Sequence, residues 1–258
     1  MQKILITGAA SGLAKNLIEK IKNDDYFIFV SVRTNSQLEI VKEKYKHNKN
    51  IKCLKLDITN QNDIKKVENL DIDILINNAA IGEGGSLLTI PVSRLEENFN
   101  TNVFSTIKLT QVILKKMLQK DYGKIINIAS LAGVMPISFL GSYSATKASI
   151  IKLSITLKKE LKFLTNNIKV ILIEPGFYYT GFNQVMLDNK YNDYQSYFDS
   201  CIELLKAKEN LMLRLLEHKN LNSITDKIIH AIEKDNPRFI YRAPFFQSVG
   251  SKIYELFH

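Results

Sequence analysis

Lys3-Ile4-Leu5-Ile6-Thr7-Gly8-Ala9-Ala10-Ser11-Gly12-Leu13-Ala14 carries an apolar strand, Lys3 to Thr7, straight into a glycine-rich turn and then into a helix. Gly12 opens that helix, so its free backbone N–H groups and positive dipole end face the turn and form a place for a phosphate-type anion. Alone, the stretch reads equally well as a simple turn. The rest of the chain decides the fold. Short Ile/Leu/Val-rich runs recur at Phe27–Val32, Ile51–Asp57, Ile72–Asn77, Lys124–Ile128, Ile168–Glu174 and Phe239–Arg242, each separated by helical stretches. Strands this apolar are buried on both faces, and helices between them must cross over right-handedly to cover those faces. The expectation is an α/β, doubly wound Rossmann-type domain with a mostly parallel seven-stranded sheet. One domain spanning 1–258 suits the length, and the strand–helix rhythm is interrupted only over 180–220, where a helical, aromatic-rich insertion is placed to select a substrate.

Composition narrows the function classes. The formal charge of +9 comes from 30 Lys against 5 Arg spread along the helices, without the aromatic-interleaved stripe of a nucleic-acid binder, so no nucleic-acid partner is expected. No apolar run approaches the ~20 residues of a membrane span, and Met1-Gln2-Lys3 leads directly into a strand, which suggests the cytoplasm. Cys53 and Cys201 lack metal or disulfide spacing, and His47, His218, His230 and His258 are scattered and expected on the surface, so no metal site is proposed.

Two Tyr-x-x-x-Lys pairs occur where chance supplies about one. Tyr45 and Lys49 lie in a polar, Lys-rich stretch and read as accidental. Tyr143 and Lys147 instead lie on a helical run from Gly141 to Leu164, thirteen residues after Ser130, which ends the strand Gly123–Ala129. Residues four apart share one helix face, so a phenol and an ammonium stand side by side.

With Thr7-Gly8-Ala9-Ala10-Ser11-Gly12, Asn77-Asn78-Ala79-Ala80, Asn102, Ser130, Tyr143, Lys147 and Glu174-Pro175-Gly176 through Thr180 in this order and spacing, the chain resembles the short-chain dehydrogenase/reductase family over nearly its whole length. The resemblance implies interconversion of a carbonyl and an alcohol with a nicotinamide dinucleotide, and assembly as a homodimer or homotetramer through helices near Ser93–Leu118 and Gly141–Leu164. It also implies cofactor contacts from Gly8, Ser11, Gly12 and Leu13, from Asp57 and Ile58 on the adenine side, from Asn78, Ala79 and Ala80 on the ribose side, from Tyr143 and Lys147, and from Pro175, Gly176 and Thr180 on the nicotinamide side. Asp57 equally suits a helix cap. Ala14 and Ala80 depart from the family pattern, where glycine is usual. At the end of the second strand an NAD enzyme offers a carboxylate, but this chain has Val32, then Arg33 with Thr34 and Ser36. A guanidinium matches a 2'-phosphate in charge and planar geometry, so NADP(H) is expected over NAD(H).

Carbonyl reduction needs an acid that cycles its proton. Tyr143 is the candidate, with Lys147 expected to lower its pKa from about 10. Ser130 would hold the substrate oxygen, and Asn102 matches the position that places a water linking Lys147 to solvent. Alternatively Ser130 caps the strand end and Asn102 pins a helix bend. Phe139, Leu140, Phe177, Tyr178, Tyr179, Phe182 and Met186 form an apolar set suited to a lipophilic carbonyl or alcohol, and the ending is loosely similar to the hydroxysteroid and retinol dehydrogenase branch. Two other readings use the same residues: a catalytically idle NADP(H)-binding sensor, and a reductase of lipid substrates held peripherally on a membrane by the aromatic-rich stretch Ala243–Phe257.

Overall fold

The computed structural model describes residues 1–10, 12–182, 186 and 195–257. Ser11, His258 and most of the region between 183 and 194 lie outside the described residues. Seven strands, β1 (Gln2–Ile6), β2 (Tyr26–Val32), β3 (Ile51–Lys55), β4 (Ile74–Asn77), β5 (Gly123–Ile128), β6 (Ile168–Pro175) and β7 (Ile240–Ala243), form one sheet in the order β3-β2-β1-β4-β5-β6-β7. Every pairing is parallel. The order reverses between β1 and β4, so their carboxyl ends diverge and leave a crevice at the switch point.

Alternate residues feed two cores, as the period of a strand dictates. Ile4, Ile6, Ile28, Val30 and Val32 pack on one face with α1 (Gly12–Ile21) and α8 (Asn222–Glu233). Leu5, Phe29, Leu75 and Ile125 pack on the other with α3 (Gln61–Glu68) and α5 (Thr106–Gln119). Helix α2 (Asn35–Tyr45) covers the β2–β3 edge, α6 (Gly141–Leu161) covers β5 and β6, and α7 (Ile202–Leu216) belongs to the insertion. On the face of the second core a polar row runs across β4 and β5: Asn77 Nδ2 donates to Thr110 Oγ1 at 2.9 Å and to Asn127 Oδ1 at 2.8 Å, and Asn127 Nδ2 donates to Ser154 Oγ at 2.8 Å.

Three elements differ from the sequence reading. The single helix expected over Ser93–Leu118 is α4 (Val92–Phe99) and α5 joined by a π-helical turn, Asn100–Ser105, a widening that hydrophobic period cannot reveal. Helix α6 stops at Leu161 rather than Leu164. The C-terminal stretch is an ordered helix, α9 (Phe245–Phe257), which packs on its own chain through Ser248 and Ser251 and leaves Phe245, Phe246, Ile253, Leu256 and Phe257 exposed. No helix among the described residues is long and apolar enough to cross a membrane.

Candidate active site

A cleft of about 980 Å³ runs along the carboxyl ends of the strands, from Val32, Arg33 and Asp57 past Gly8 and Gly12 to Ser130, Tyr143 and Lys147. At its centre Gly8 has φ +64° and Gly12 has φ +59°, conformations that L side chains rarely adopt. A Cβ on Gly8 would lie 2.8 Å from Ala79 Cα, and one on Gly12 would lie 3.3 Å from Thr180 Cβ. Thr7 and Asn78 set this approach: Thr7 Oγ1 accepts the N–H groups of Asn78 and Ala79 at 3.0 Å, and Asn78 Nδ2 donates to Thr7 O and Gly8 O. The close backbone approach at Gly8 and Gly12, beside the N-terminus of α1, fits a pyrophosphate, so the cradle suits the implied dinucleotide.

At the β2 end, Arg33 is exposed and lines the cleft with Val32, Asp57 and Ile58. Thr34 does not line it, because its hydroxyl accepts the Gln37 N–H at 3.2 Å as the N-cap of α2, with Gln37 closing the capping box. Gln37 lines the cleft instead, and the Thr34-x-x-Gln37 spacing was the signal for it. Asp57 is not the cap of α3. Asn60 fills that place, and Asp57 Oδ1 accepts from Thr59 N and Oγ1.

At the other end β5 delivers Ser130 and α6 delivers Tyr143 and Lys147, all three on the cleft wall. The turn Leu131–Gly133 lands on α6 so closely that a Cβ on Gly133 would lie 2.7 Å from Lys147 C, a contact the sequence did not signal. Ser130 Oγ accepts the Ala132 N–H at 3.1 Å and hydrogen-bonds the Tyr143 phenol. Lys147 Nζ donates to Ile128 O at 2.9 Å and lies 5.6 Å from the Tyr143 ring centroid. Burial dominates both groups. It pushes the Tyr143 phenol up to about 12, against the lowering hydrogen bond of Ser130. It pushes the Lys147 ammonium down to about 8. In the chain without cofactor, burial raises the phenol first and the Ser130 hydrogen bond lowers it second, and the expected lowering by Lys147 is not among the causes.

Asn102 stands behind the wall rather than on it. Its Oδ1 accepts the Ile81 N–H at 2.8 Å, and its Nδ2 donates to Ile81 O at 2.9 Å and Asn98 Oδ1 at 2.7 Å, which pins the π turn to the loop after β4. Neighbouring Asn100 and Thr101 line the cleft. Ala80, Pro175, Gly176, Thr180 and Leu13 line it as expected. Of the apolar set, Leu140, Phe182 and Met186 cluster with Tyr143, whose ring lies 5.7 Å from that of Phe182. Phe177 lines the wall between them and the cofactor cradle. Tyr178 also lines the cleft, while its ring packs with Ala9 and Ile224 of the core and its hydroxyl bonds Ser223 Oγ. Two residues depart from the expected substrate set: Phe139 packs edge-on against Phe198 away from the cleft, and Tyr179 is 55% exposed. His47, His218 and His230 are exposed, and no group of metal-ligating side chains occurs among the described residues.

Residues 2–190 match the family model for short chain dehydrogenase. The chain belongs to the short-chain dehydrogenases. This short-chain dehydrogenase is 30% identical to a 3-ketodihydrosphingosine reductase of Bacteroides thetaiotaomicron, over 99% of its own length and 90% of that protein's. It is 31% identical to an NADPH-dependent 3-dehydrocapnine reductase of Ornithobacterium rhinotracheale, over 68% of its own length and 65% of that protein's. A short-chain dehydrogenase from Streptomyces avermitilis has the same fold, with a TM-score of 0.80, 23% identity, and coverage of 99% of this chain and 92% of that one. The enzyme is thus a short-chain oxidoreductase of a family that binds NAD(P).

Proposed function

We propose that this short-chain dehydrogenase uses NADP(H) to interconvert a carbonyl and an alcohol on a lipophilic, chain-bearing substrate, with Tyr143 as the acid–base group. The observation that carries the reading is the gathering of Ser130, Tyr143 and Lys147 on one wall of a cleft whose far end holds Arg33. Gly8, Gly12, Asn78 and Ala79 would hold the pyrophosphate and ribose, Arg33 the 2'-phosphate, and Lys147 the nicotinamide ribose. When bound, the cofactor supplies a hydride to the carbonyl carbon.

Every other step falls to the protein. Ser130 orients the substrate oxygen, and Tyr143 Oη gives it a proton. A phenol held protonated by burial suits reduction, where it acts as the acid. Leu140, Phe182 and Met186, packed around the Tyr143 ring, exclude water and accept an apolar chain. The names of the two relatives, reductases of 3-ketodihydrosphingosine and 3-dehydrocapnine, support a long-chain substrate. The insertion 180–220 is the proposed specificity element of a single domain, and the cytoplasm the proposed compartment, with self-association through α4–α5 and α6.

The test is NADPH oxidation with 3-ketodihydrosphingosine and a panel of lipophilic ketones and aldehydes. Turnover of long-chain ketones is expected, while tight NADPH binding without turnover of any carbonyl would identify a sensor instead.

A further inference from the structure

We infer that Gln247, on the C-terminal helix, is a positioning residue for the nicotinamide-side loop; this rests on the function proposed above. The loop Pro175-Gly176-Phe177 leaves β6 and forms the wall that faces Ser130, whose Oγ lies 3.5 Å from Pro175 O. A loop in that place must hold its main chain still while cofactor and substrate meet against it.

The hold comes from α9, seventy residues away in sequence. Gln247 Oε1 accepts the Phe177 N–H at 2.8 Å, and its Nε2 donates to Leu216 O, the end of α7, at 2.7 Å. One side-chain amide therefore ties the loop, the insertion and the C-terminal helix together. It fills the space above Gly176, where an added Cβ would lie 2.0 Å from Gln247 Oε1. The His218 N–H donates to Phe177 O at 2.9 Å, so Phe177 is held at both its N–H and its carbonyl, in two successive peptide units.

A second anchor fixes the helix that carries the amide. Arg242 on β7 binds Glu174, the residue before Pro175, through Nε, and binds both carboxylate oxygens of Glu255 on α9 at 2.7 and 2.8 Å. Positions 247 and 255 are about two helical turns apart. They attach α9 to the residues on either side of Pro175-Gly176, a double attachment that fixes orientation as well as distance. The Glu174 end of this anchor is fully buried, while its Glu255 end on α9 is half exposed.

The test uses the full chain with Gln247→Ala, and with Gln247→Glu, whose carboxylate still accepts the Phe177 N–H. In the protein without cofactor, amide exchange at Phe177 is expected to quicken about tenfold or more in Gln247→Ala and to stay near wild type in Gln247→Glu, because only the former lacks the acceptor. With NADPH and a ketone that the wild type reduces, Gln247→Ala should lose about 10- to 100-fold in kcat/KM with its melting temperature nearly unchanged. Should Gln247→Ala fail to fold, Gln247→Met keeps the length of the side chain without its amide and takes its place. Wild-type exchange and wild-type kinetic constants in the alanine or methionine variant would overturn the inference, as would exchange at Phe177 as fast in Gln247→Glu as in Gln247→Ala. If the wild type reduces no carbonyl, the exchange rates and the NADPH dissociation constants still decide the role of Gln247, so the two readings fail separately.

Discussion

The Lys147 ammonium stands 5.6 Å from the centroid of the Tyr143 ring while donating its hydrogen bond to the Ile128 carbonyl. The cation is thus near enough to act on the phenol through space, yet its position is fixed by the end of β5. Proton chemistry and strand geometry are coupled in one side chain.

Removing the phenol oxygen tests the acid directly. Tyr143→Phe keeps the ring that packs on Phe182 and Leu140. Turnover should fall by about 10²- to 10⁴-fold while the NADPH dissociation constant, from fluorescence titration, stays close to wild type.

Lys147 also makes stability depend on pH. Its pKa is about 8 in the folded chain against 10.5 ordinarily, so the unfolded chain binds this proton more tightly below pH 10.5. The cost of burying the ammonium is complete below pH 8 and fades as pH rises, which means stability increases across that window. Relative to Lys147→Met, wild type should gain as much as about 3 kcal/mol between pH 8 and 10.5 in urea titrations.

Arg33 makes no ion pair among the described residues and lines the β2 end of the cleft. Arg33→Glu should weaken NADPH about 10- to 100-fold relative to NADH, the range expected for a charged hydrogen bond. An unchanged ratio of the two dissociation constants would assign the guanidinium to solvent.

Glu174 is held by Arg242, and burial raises its pKa against that partner's pull. Arg242→Met leaves the carboxyl buried without its cation, a loss of about 3–5 kcal/mol at pH 8. A raised folded pKa means that the folded state binds the proton first, so the loss should shrink as the pH falls from 8 toward 5 and Glu174 takes up its proton. Unfolding midpoints at the two pH values measure it.

Much of this was legible in the sequence because it is local or periodic. The seven strands were placed by apolar runs, with edges misjudged by one or two residues where pairing stops before the apolar run does, as at Ile72, which is buried but precedes β4. Ser130, Tyr143 and Lys147 meet because a strand end and one helical turn bring them together, and both are readable spacings. Thr34, expected as a cofactor contact, serves as the N-cap of α2, a role the Thr34-x-x-Gln37 capping box made readable. What stayed hidden joins residues far apart in sequence: Gly133 against Lys147 is a matter of close approach, and Gln247 against Phe177 is a contact between a helix and a loop that no periodicity links. Lys124 is another such case, a buried lysine on β5 whose ammonium caps the C-terminal carbonyls of α8 at Ile232 and Lys234.

The polar row through Asn77 and Asn127 bears on how the chain finds its fold. These two amides face each other only in the pairing observed, and each also meets a hydroxyl from a different covering helix. Sliding β4 past β5 by one residue would strip the two buried amides of these partners, at a penalty of a few kcal/mol for each, while the Thr110 and Ser154 hydroxyls keep their bonds to Thr106 O and Ile150 O within their own helices. In a sheet whose central strands are otherwise interchangeable apolar runs, the row works as a key that rejects misaligned strands while the sheet assembles.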